Sequence, residues 1–257
     1  MRAGVRIIAI PNVPEISPGD DLAACVGDRL EAIGGVEDRD ILAIAHKVVS
    51  KAEGCVVDLN TVIPSKEACR LANELNKSPE KIEVILGETT RIVRAFRHPG
   101  QHEGTLICEH RLGFISANAG VDESNIPADN TVVTLPRDPD ASMRRLGQTL
   151  ELRFKQILGL VMTDTFGRPW RLGQINVAVG LYRLPALVSN IGVQDAWGRM
   201  LRVTEPALAD EIAAASGLVV HKSSRHPLVL IRGLEWTPRE EASALDLLRA
   251  NEEDMFQ

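Results

Sequence analysis

The 257-residue sequence has few aromatic side chains, no closely spaced pair of cysteines and no excess of positive charge. Only 4% of the residues are aromatic, and the four cysteines include no Cys-x-x-Cys pair, so neither a zinc ribbon nor a disulfide framework is indicated. With 29 Lys and Arg against 35 Asp and Glu, the net charge of −6 argues against nucleic-acid and membrane-surface partners, which require a basic footprint. We therefore expect free thiols in a cytoplasmic protein.

Long apolar runs are also absent. The stretch 7–10 ends at Pro11 and is too short for the core of a signal peptide. No segment approaches the roughly 18 apolar residues that a transmembrane helix needs. The P-loop, the dinucleotide-binding glycine pattern, the serine-hydrolase elbow and the H-E-x-x-H zinc motif are missing as well, so the common nucleotide and hydrolase folds are not indicated.

Short Ile- and Val-rich runs alternate with helical patterns, which predicts a mixed α/β fold. Strands are predicted at 5–10, 41–45, 105–109, 112–117, 131–135, 157–162 and 228–232. Helices are predicted at 20–33, 65–76, 78–97, 138–156, 206–216 and 238–250. No repeat and no linker divides the chain, so we treat 1–257 as a single domain.

Two polar stretches offer ligands for a hard cation. The first, 116–125, contains Asp122 and Asn125, whose oxygens suit Mg²⁺ or Mn²⁺. The second begins where the predicted strand 157–162 ends and contains Asp164 and Thr165. Each stretch has a simpler alternative, namely a turn in which the side chains bond their own backbone, or a salt-bridged surface loop.

Positive charge is available for an anion at three places. Arg168 and Arg171 follow Asp164 and could orient a phosphate or carboxylate. Lys51 follows a predicted buried strand and could contact a phosphate, although a solvated lysine in a turn is the simpler interpretation. The basic loop 221–227 could cover an anion or be only a polar hairpin.

His102 and His110 are predicted to be surface residues of a hairpin.

Taken in order, these stretches resemble the coenzyme F-420-0:γ-glutamyl ligase (CofE) family, and the resemblance covers nearly the whole chain. One such match would be weak, but many in the same order are highly specific. The segments that carry the resemblance are Pro14 with 18–22, 47–54, 109–113, 119–125, 135–142, 163–171, 203–205 and 209–214.

The resemblance implies a homodimer with a CofE-like fold of two intertwined subdomains. It also implies that GTP and a divalent cation are used to add L-glutamate to the lactyl carboxylate of F-420-0, a deazaflavin coenzyme precursor, through an acyl phosphate. Two Mg²⁺ or Mn²⁺ ions are expected, with K⁺ as a further candidate. The reductase-like domain fused to mycobacterial members is expected to be absent, because the chain ends soon after the last predicted helix.

Matched position by position, the family's first metal site falls on Asp122 and Asp164, and Thr165 falls at the second. The family's nucleotide site falls on a larger set of positions: Val13, Pro14, Glu15, Ile16, His46, Lys51, Asn125, Val220, His221, Lys222 and Ser223.

This sequence departs from the family pattern at three of those positions. His46 stands where members often carry a small hydroxyl residue, His221 stands at a glycine position, and Lys222 stands where some members have a metal-binding Glu. Because a lysine cannot bind a cation, the second metal's ligands are left open. Two alternative functions follow: an amide ligase of the same fold with another carboxylate acceptor, and a nucleotide-binding homologue that does not turn over.

Overall fold

The computed structural model describes residues 4–124, 129–220 and 226–254, and it confirms the mixed α/β class. The strands within these residues are β1 (Arg6–Ala9), β2 (Ile41–Ala45), β3 (Val56–Asp58), β4 (Thr89–Phe96), β5 (Thr105–His110), β6 (Ile115–Ala117), β7 (Thr131–Val133), β8 (Gly159–Arg168), β9 (Arg171–Tyr182) and β10 (Leu228–Arg232). The helices are α1 (Leu22–Ala32), α2 (His46–Ala52), α3 (Lys66–Leu75), α4 (Pro79–Gly87), α5 (Pro139–Phe154) and α6 (Leu208–Ser216).

The largest sheet has the strand order β1-β10-β2-β8-β9. β2 and β8 are parallel, and the other neighbouring pairs in this sheet are antiparallel. On one face, Ile44 and Met162 pack with α1 and α5, and on the other, Val161 packs with α6. The central strands are therefore buried on both faces, which explains why 41–45 is an unbroken apolar run.

A smaller sheet, β4-β5-β6, packs with α3 and α4 around a separate apolar cluster that includes Leu71, Ile82 and Leu106. β3 and β7 form a two-stranded ladder. Both helices begin as the sequence predicts, because the Ser65 and Ser78 hydroxyls accept hydrogen bonds from the first turn of α3 and α4.

The helix predicted at 78–97 is wrong beyond Gly87. The chain turns after α4 and continues as β4, which pairs antiparallel with β5. Thr89, Thr90, Ile92 and Val93 are β-branched and favour an extended backbone, and the hydrogen bonds that hold them come from a strand further along the sequence.

The strand predicted at 157–162 does not end there. β8 continues to Arg168, and β9, which was not predicted, returns beside it to form a long hairpin. The polar residues 163–168 therefore belong to a strand rather than to a loop.

The terminal helix predicted at 238–250 is wrong. Only a 3₁₀ turn at Ala244–Leu247 forms there, with a second such turn at Asn251–Glu253. The Asp140 carboxylate at the start of α5 accepts hydrogen bonds from the Ser243 hydroxyl and the Ala244 N–H. These bonds tie the segment to α5 in place of a continuous helical ladder.

His110 is also placed differently from the prediction. Alternation along β5 turns Leu106, Cys108 and His110 inward, and the His110 side chain is fully buried. Its imidazole stacks on Phe114 with a centroid distance of 4.5 Å, and its Nε2 lies 3.1 Å from the Glu88 carboxylate. His102 is exposed, as predicted.

All four cysteines are free, as expected from their spacing. In the parts of the chain that the structure describes, no helix combines the length and the apolar character needed to cross a membrane.

Two glycines at helical positions provide opposite tests of packing. A Cβ at Gly147 in α5 would overlap the Tyr182 ring, whereas a Cβ at Gly87 would meet nothing within 4 Å. We expect Gly147→Ala to destabilise the fold by about 1–3 kcal/mol through overpacking. Gly87→Ala should stabilise it by about 0.5–1 kcal/mol because alanine has the higher helix propensity. Urea unfolding followed by circular dichroism measures both, and shifts of the same sign would contradict this packing.

Candidate metal and nucleotide site

The parallel pairing of β2 with β8 brings two polar side chains together. Ala45 pairs with Thr163 in the ladder, so the following residues, His46 and Asp164, lie side by side where β2 gives way to α2. The His46 Nε2 atom is 3.4 Å from the Asp164 Oδ1 atom, and the two side chains are only 2% and 11% exposed. Carboxyl ends of parallel strands are the usual location of α/β binding sites.

Asp122 reaches the same place from a separate segment. Its backbone makes an isolated bridge to Val133, and its Oδ2 atom is 2.6 Å from the Lys47 ammonium. Asp164 and Asp122 therefore contact consecutive residues, His46 and Lys47, at the start of α2. Both carboxylates therefore lie against the start of α2, although they come from separate segments of the chain.

A tight backbone turn lies next to the Asp164 carboxylate. Asn118, Ala119 and Gly120 follow one another with φ angles of 54°, 47° and 67°, and only glycine adopts this region without strain. A Cβ on Gly120 would come within 3.6 Å of the Asp164 Oδ2 atom. Strained backbone of this kind concentrates at functional sites.

The electrostatic states of these groups differ. Burial lowers the pKa of His46 in spite of the neighbouring Asp164, so its imidazole is neutral at pH 7. Its Nδ1 lies 3.2 Å from the Ser50 hydroxyl, and its buried Nε2 has no hydrogen-bond partner among the described residues. Burial alone would raise the pKa of Asp122, but the Lys47 ammonium and Ser124 outweigh it and hold the pKa below its usual value.

The donor set suits a hard divalent cation. Mg²⁺ is commonly held by one or two carboxylates, with water and phosphate oxygens completing its coordination. Asp122 and Asp164 would supply the two carboxylates, and the unpartnered His46 nitrogen lies beside them. Within the described ranges, no group of three or more His, Cys, Asp or Glu side chains is arranged around one point, so a protein-only metal cage is not present there.

Thr165 lies on the opposite face of β8 from Asp164, because side chains alternate along a strand. Its hydroxyl is 2.9 Å from the Asn176 side-chain oxygen across the hairpin, and Asn176 in turn contacts Ser216 of α6. Thr165 as a ligand of a second metal stays a prediction.

Arg168 and Arg171 pair at the tip of the β8–β9 hairpin. Arg168 is four residues beyond Asp164, about 13 Å along an extended strand. Its guanidinium is 2.7 Å from the Leu172 carbonyl oxygen. Within one chain the two arginines are thus separated from the carboxylates, and their role toward phosphate or carboxylate stays a prediction.

The nucleotide candidates of the N-terminal segment lie beside α2. The Glu15 carboxylate accepts a hydrogen bond from the Lys51 ammonium, and Lys51 is buried in α2 rather than solvated in a turn. Ile16 is buried in the core, and Val13 packs against the same cluster, whereas Pro14 is exposed. His46 and Lys51 thus share one short helix with the contacts to Asp122 and Asp164.

The remaining candidates are only partly described. Val220 is half-buried against the apolar cluster beneath α6. Asn125, His221, Lys222 and Ser223 lie outside the described residues. Sequence reasoning missed the role of Lys47 beside Asp122. A signal was available, because Lys47 comes soon after the apolar run 41–45 just as Asp164 follows a second such run.

Comparison with known proteins gives a consistent result. The family model for F420-0:gamma-glutamyl ligase matches residues 11–233. The chain is similar to the coenzyme F420:L-glutamate ligase of Methanothermobacter thermautotrophicus, with 39% identity over 98% of this chain and 99% of that protein. Similar ligases occur in Methanopyrus kandleri, with 41% identity over 90% and 88% of the two chains, and in Methanocaldococcus jannaschii, with 38% identity over 86% of each.

Lys47→Met tests the ion pair with Asp122. A depressed carboxylate pKa stabilises the fold above the unfolded value near 4, and this contribution disappears as the pH falls through the folded pKa. Without Lys47, burial should raise the Asp122 pKa. Because Asp122 is 36% exposed, we expect a loss of only about 1 kcal/mol at pH 7 and a smaller loss near pH 4. Urea unfolding at both pH values measures this, with Lys66→Met as a control on an exposed lysine. An equal loss at the two pH values would disprove it.

Proposed function

The chain belongs to the F420-0:gamma-glutamyl ligase family and is a ligase, and from this membership we propose that it joins L-glutamate to coenzyme F420-0 with GTP and a divalent cation. The observation that carries the proposal is the meeting of Asp122 and Asp164, from separate segments, at the start of α2. Two carboxylates beside a buried lysine and a neutral histidine suit phosphoryl transfer, which depends on positioning and charge compensation.

A carboxylate is a poor acylating agent, so the proposed reaction activates it first. An oxygen of the acceptor carboxylate attacks the γ-phosphorus of GTP, and GDP leaves. The glutamate amine then attacks the acyl carbon, phosphate departs with the C–O bond electrons, and the nitrogen loses a proton to give the amide. A divalent cation on Asp122 and Asp164 would neutralise charge on the transferring group, an effect worth several kcal/mol.

The chain's own residues have separate parts in this scheme. Lys51, paired with Glu15 beside the proposed nucleotide segment, would contact a phosphate as a point charge. The neutral imidazole of His46 leaves the negative charge of Asp164 available to a cation. Mg²⁺ or Mn²⁺ is the proposed ion, and a second ion and K⁺ stay predictions.

The activity is tested by incubating the protein with F420-0, GTP, Mn²⁺ and L-glutamate and following mass increments of one glutamyl unit. Asp122→Asn and Asp164→Asn should each lower the rate about a hundredfold or more, because loss of several kcal/mol of charge stabilisation has that effect. Glu74→Gln, on the exposed face of α3, is the matched carboxylate-to-amide control and should keep full activity.

Other outcomes separate the alternatives. GDP release without a glutamylated product would indicate another carboxylate acceptor. GTP binding without hydrolysis would indicate a homologue that does not turn over. Full activity in either aspartate variant would remove the metal assignment. Melting temperatures of all variants establish that they are folded.

We also propose a homodimer, which the family resemblance implies. Leu172 at the hairpin tip is 96% exposed, and Trp197 and Val203 in the segment 190–204 are 87% and 88% exposed. That segment is held by its own backbone hydrogen bonds, such as Leu201 N–H to the Val193 carbonyl oxygen, so its apolar side chains project from an ordered surface. Exposed apolar side chains of this size on ordered surfaces are typical of protein interfaces.

Leu172→Asp should weaken this dimer, because a charge would be buried in an apolar contact. Light scattering after size-exclusion chromatography should give a dimeric mass for the wild type and a shift toward the monomer for the variant. Leu152→Asp, on the exposed face of α5, places the same change elsewhere and should leave the mass unchanged. A monomeric wild type at micromolar concentration would refute the dimer.

A further inference from the structure

A buried carboxylate joins two side chains at the end of the smaller sheet. Glu88 ends α4, and its Oε2 atom lies 3.1 Å from the His110 Nε2 atom and 2.8 Å from the Arg111 Nε atom. Burial alone would raise the pKa of Glu88, but the hydrogen bond from His110 and the Arg111 guanidinium outweigh it and lower the pKa. Glu88 is therefore an anion at pH 7 that holds one partner on each side.

The contacts of His110 fix the orientation of its ring. Its Nδ1 atom accepts a hydrogen bond from the Leu112 N–H at 3.0 Å, so the ring proton is on Nε2 and is donated to Glu88. The ring also stacks on Phe114. Because both ring nitrogens are bonded, the imidazole cannot turn without breaking a hydrogen bond.

The ring stack continues to the strand that carries Asp164. The ring of Phe114 lies 5.0 Å from that of Phe166, which is two residues beyond Asp164 on the same face of β8. Both phenylalanines pack against the apolar cluster of the largest sheet. The hydrogen bond between Glu88 and His110 thus supports the part of β8 on which Asp164 lies.

Arg111 links Glu88 to the segment that carries Asp122. Its guanidinium donates hydrogen bonds to three consecutive carbonyl oxygens, those of Leu135 at 3.3 Å, Pro136 at 2.9 Å and Arg137 at 2.7 Å. Two residues before Leu135, Val133 exchanges both backbone hydrogen bonds with Asp122, at 3.1 and 2.8 Å. Arg111 therefore holds the chain directly beyond the bridge that places Asp122.

The turn beside Asp164 rests on the same group of residues. A Cβ on Gly120 would come within 3.5 Å of the Leu135 side chain and 3.6 Å of the Asp164 Oδ2 atom. Ala119, in the same turn, belongs to the apolar cluster that contains Ile85 of α4, the helix that Glu88 ends. The segments of both carboxylates are thus supported by α4 and by the partners of Glu88.

We propose that Glu88 is a positioning residue of the ligase, which sets the separation of Asp122 and Asp164 by holding Arg111 on one side and His110 on the other. The inference rests on the proposed function and adds to it a residue that acts through others. The alternative is that Glu88 contributes to stability alone. The two alternatives differ in the effect on cation binding when the carboxylate is removed.

Glu88→Gln removes the charge but keeps the size of the side chain. Mn²⁺ binding to the full chain is measured by electron paramagnetic resonance without nucleotide, so that the readout does not depend on turnover. We expect the Kd for Mn²⁺ to rise about tenfold, because losing a residue that orients metal ligands typically lowers metal affinity by about 10- to 100-fold. An unchanged Kd would contradict the positioning role.

Glu151→Gln is the matched control. The Glu151 side chain is 17% exposed, against 18% for Glu88, and it likewise accepts hydrogen bonds from an arginine and a ring side chain, Arg183 and Tyr182. Tyr182 pairs with the start of β8, away from Asp164. We expect both variants to lower the melting temperature, but Glu151→Gln should leave the Kd for Mn²⁺ unchanged. An equal rise in both would indicate general loosening and overturn the proposal.

Arg111→Lys tests the same link from its other end. It keeps a cation beside Glu88, but an ammonium lacks the planar fork that reaches the carboxylate and three carbonyl oxygens together. The Kd for Mn²⁺ should rise again. Hydrogen exchange, followed by mass spectrometry without metal, should be faster at the amides of Asp122 and Val133 than in the wild type. Unchanged exchange there would show that Arg111 does not hold this segment.

The outcomes separate this inference from the proposed function. If the wild type binds Mn²⁺ and glutamylates F420-0 while Glu88→Gln and Arg111→Lys bind Mn²⁺ equally well, the positioning role is wrong and the function stands. If both variants bind Mn²⁺ more weakly but the wild type does not glutamylate F420-0, the positioning of the metal site stands and the reaction is wrong. If the wild type binds no Mn²⁺, both proposals fail.

Discussion

The parallel pairing of β2 with β8 is the constraint on which the site depends. Both strands are buried on two faces, so their register is fixed by the core. A slip of one residue would turn Asp164 to the opposite face, where Thr165 now lies, and would separate it from His46. Apolar packing several residues away therefore fixes the geometry of the site. His46 and Asp164 directly follow Ala45 and Thr163, which pair in the ladder.

Charge compensation around the two carboxylates is unequal. Asp122 is matched by the Lys47 ammonium at 2.6 Å, whereas Asp164 faces an imidazole that burial keeps neutral. The Asp164 carboxylate accepts a hydrogen bond from the Thr165 N–H at 2.7 Å but has no cationic partner of its own among the described residues, so its negative charge is open to a bound cation. The protein as a whole is acidic, so the cations that serve an anionic substrate have to be local. Lys51 supplies one beside Glu15.

Sequence patterns predicted the buried strands and the capped helices, because those signals are local: apolar runs, and serine or aspartate N-caps such as Ser65 and Asp138. They failed where the deciding contact is distant. β4 is extended because β5 pairs with it. His110 is buried because its imidazole contacts the Glu88 carboxylate and stacks on Phe114. The site residues were taken mainly from the family resemblance, since no local pattern shows that Asp122 and Asp164 meet.

In the hairpin β8–β9, residues that are adjacent in the sequence face different surroundings. Alternation divides the stretch 163–168 into two sets of side chains. Asp164 and Phe166 lie on one face of β8, where they contact His46 and Phe114, whereas Thr165 faces Asn176 and α6. A single strand thus carries a carboxylate of the site and an aromatic ring on the same face. Because one backbone fixes Asp164 and Phe166, the distance between the carboxylate and the ring is set by the pleat of the strand rather than by a flexible loop.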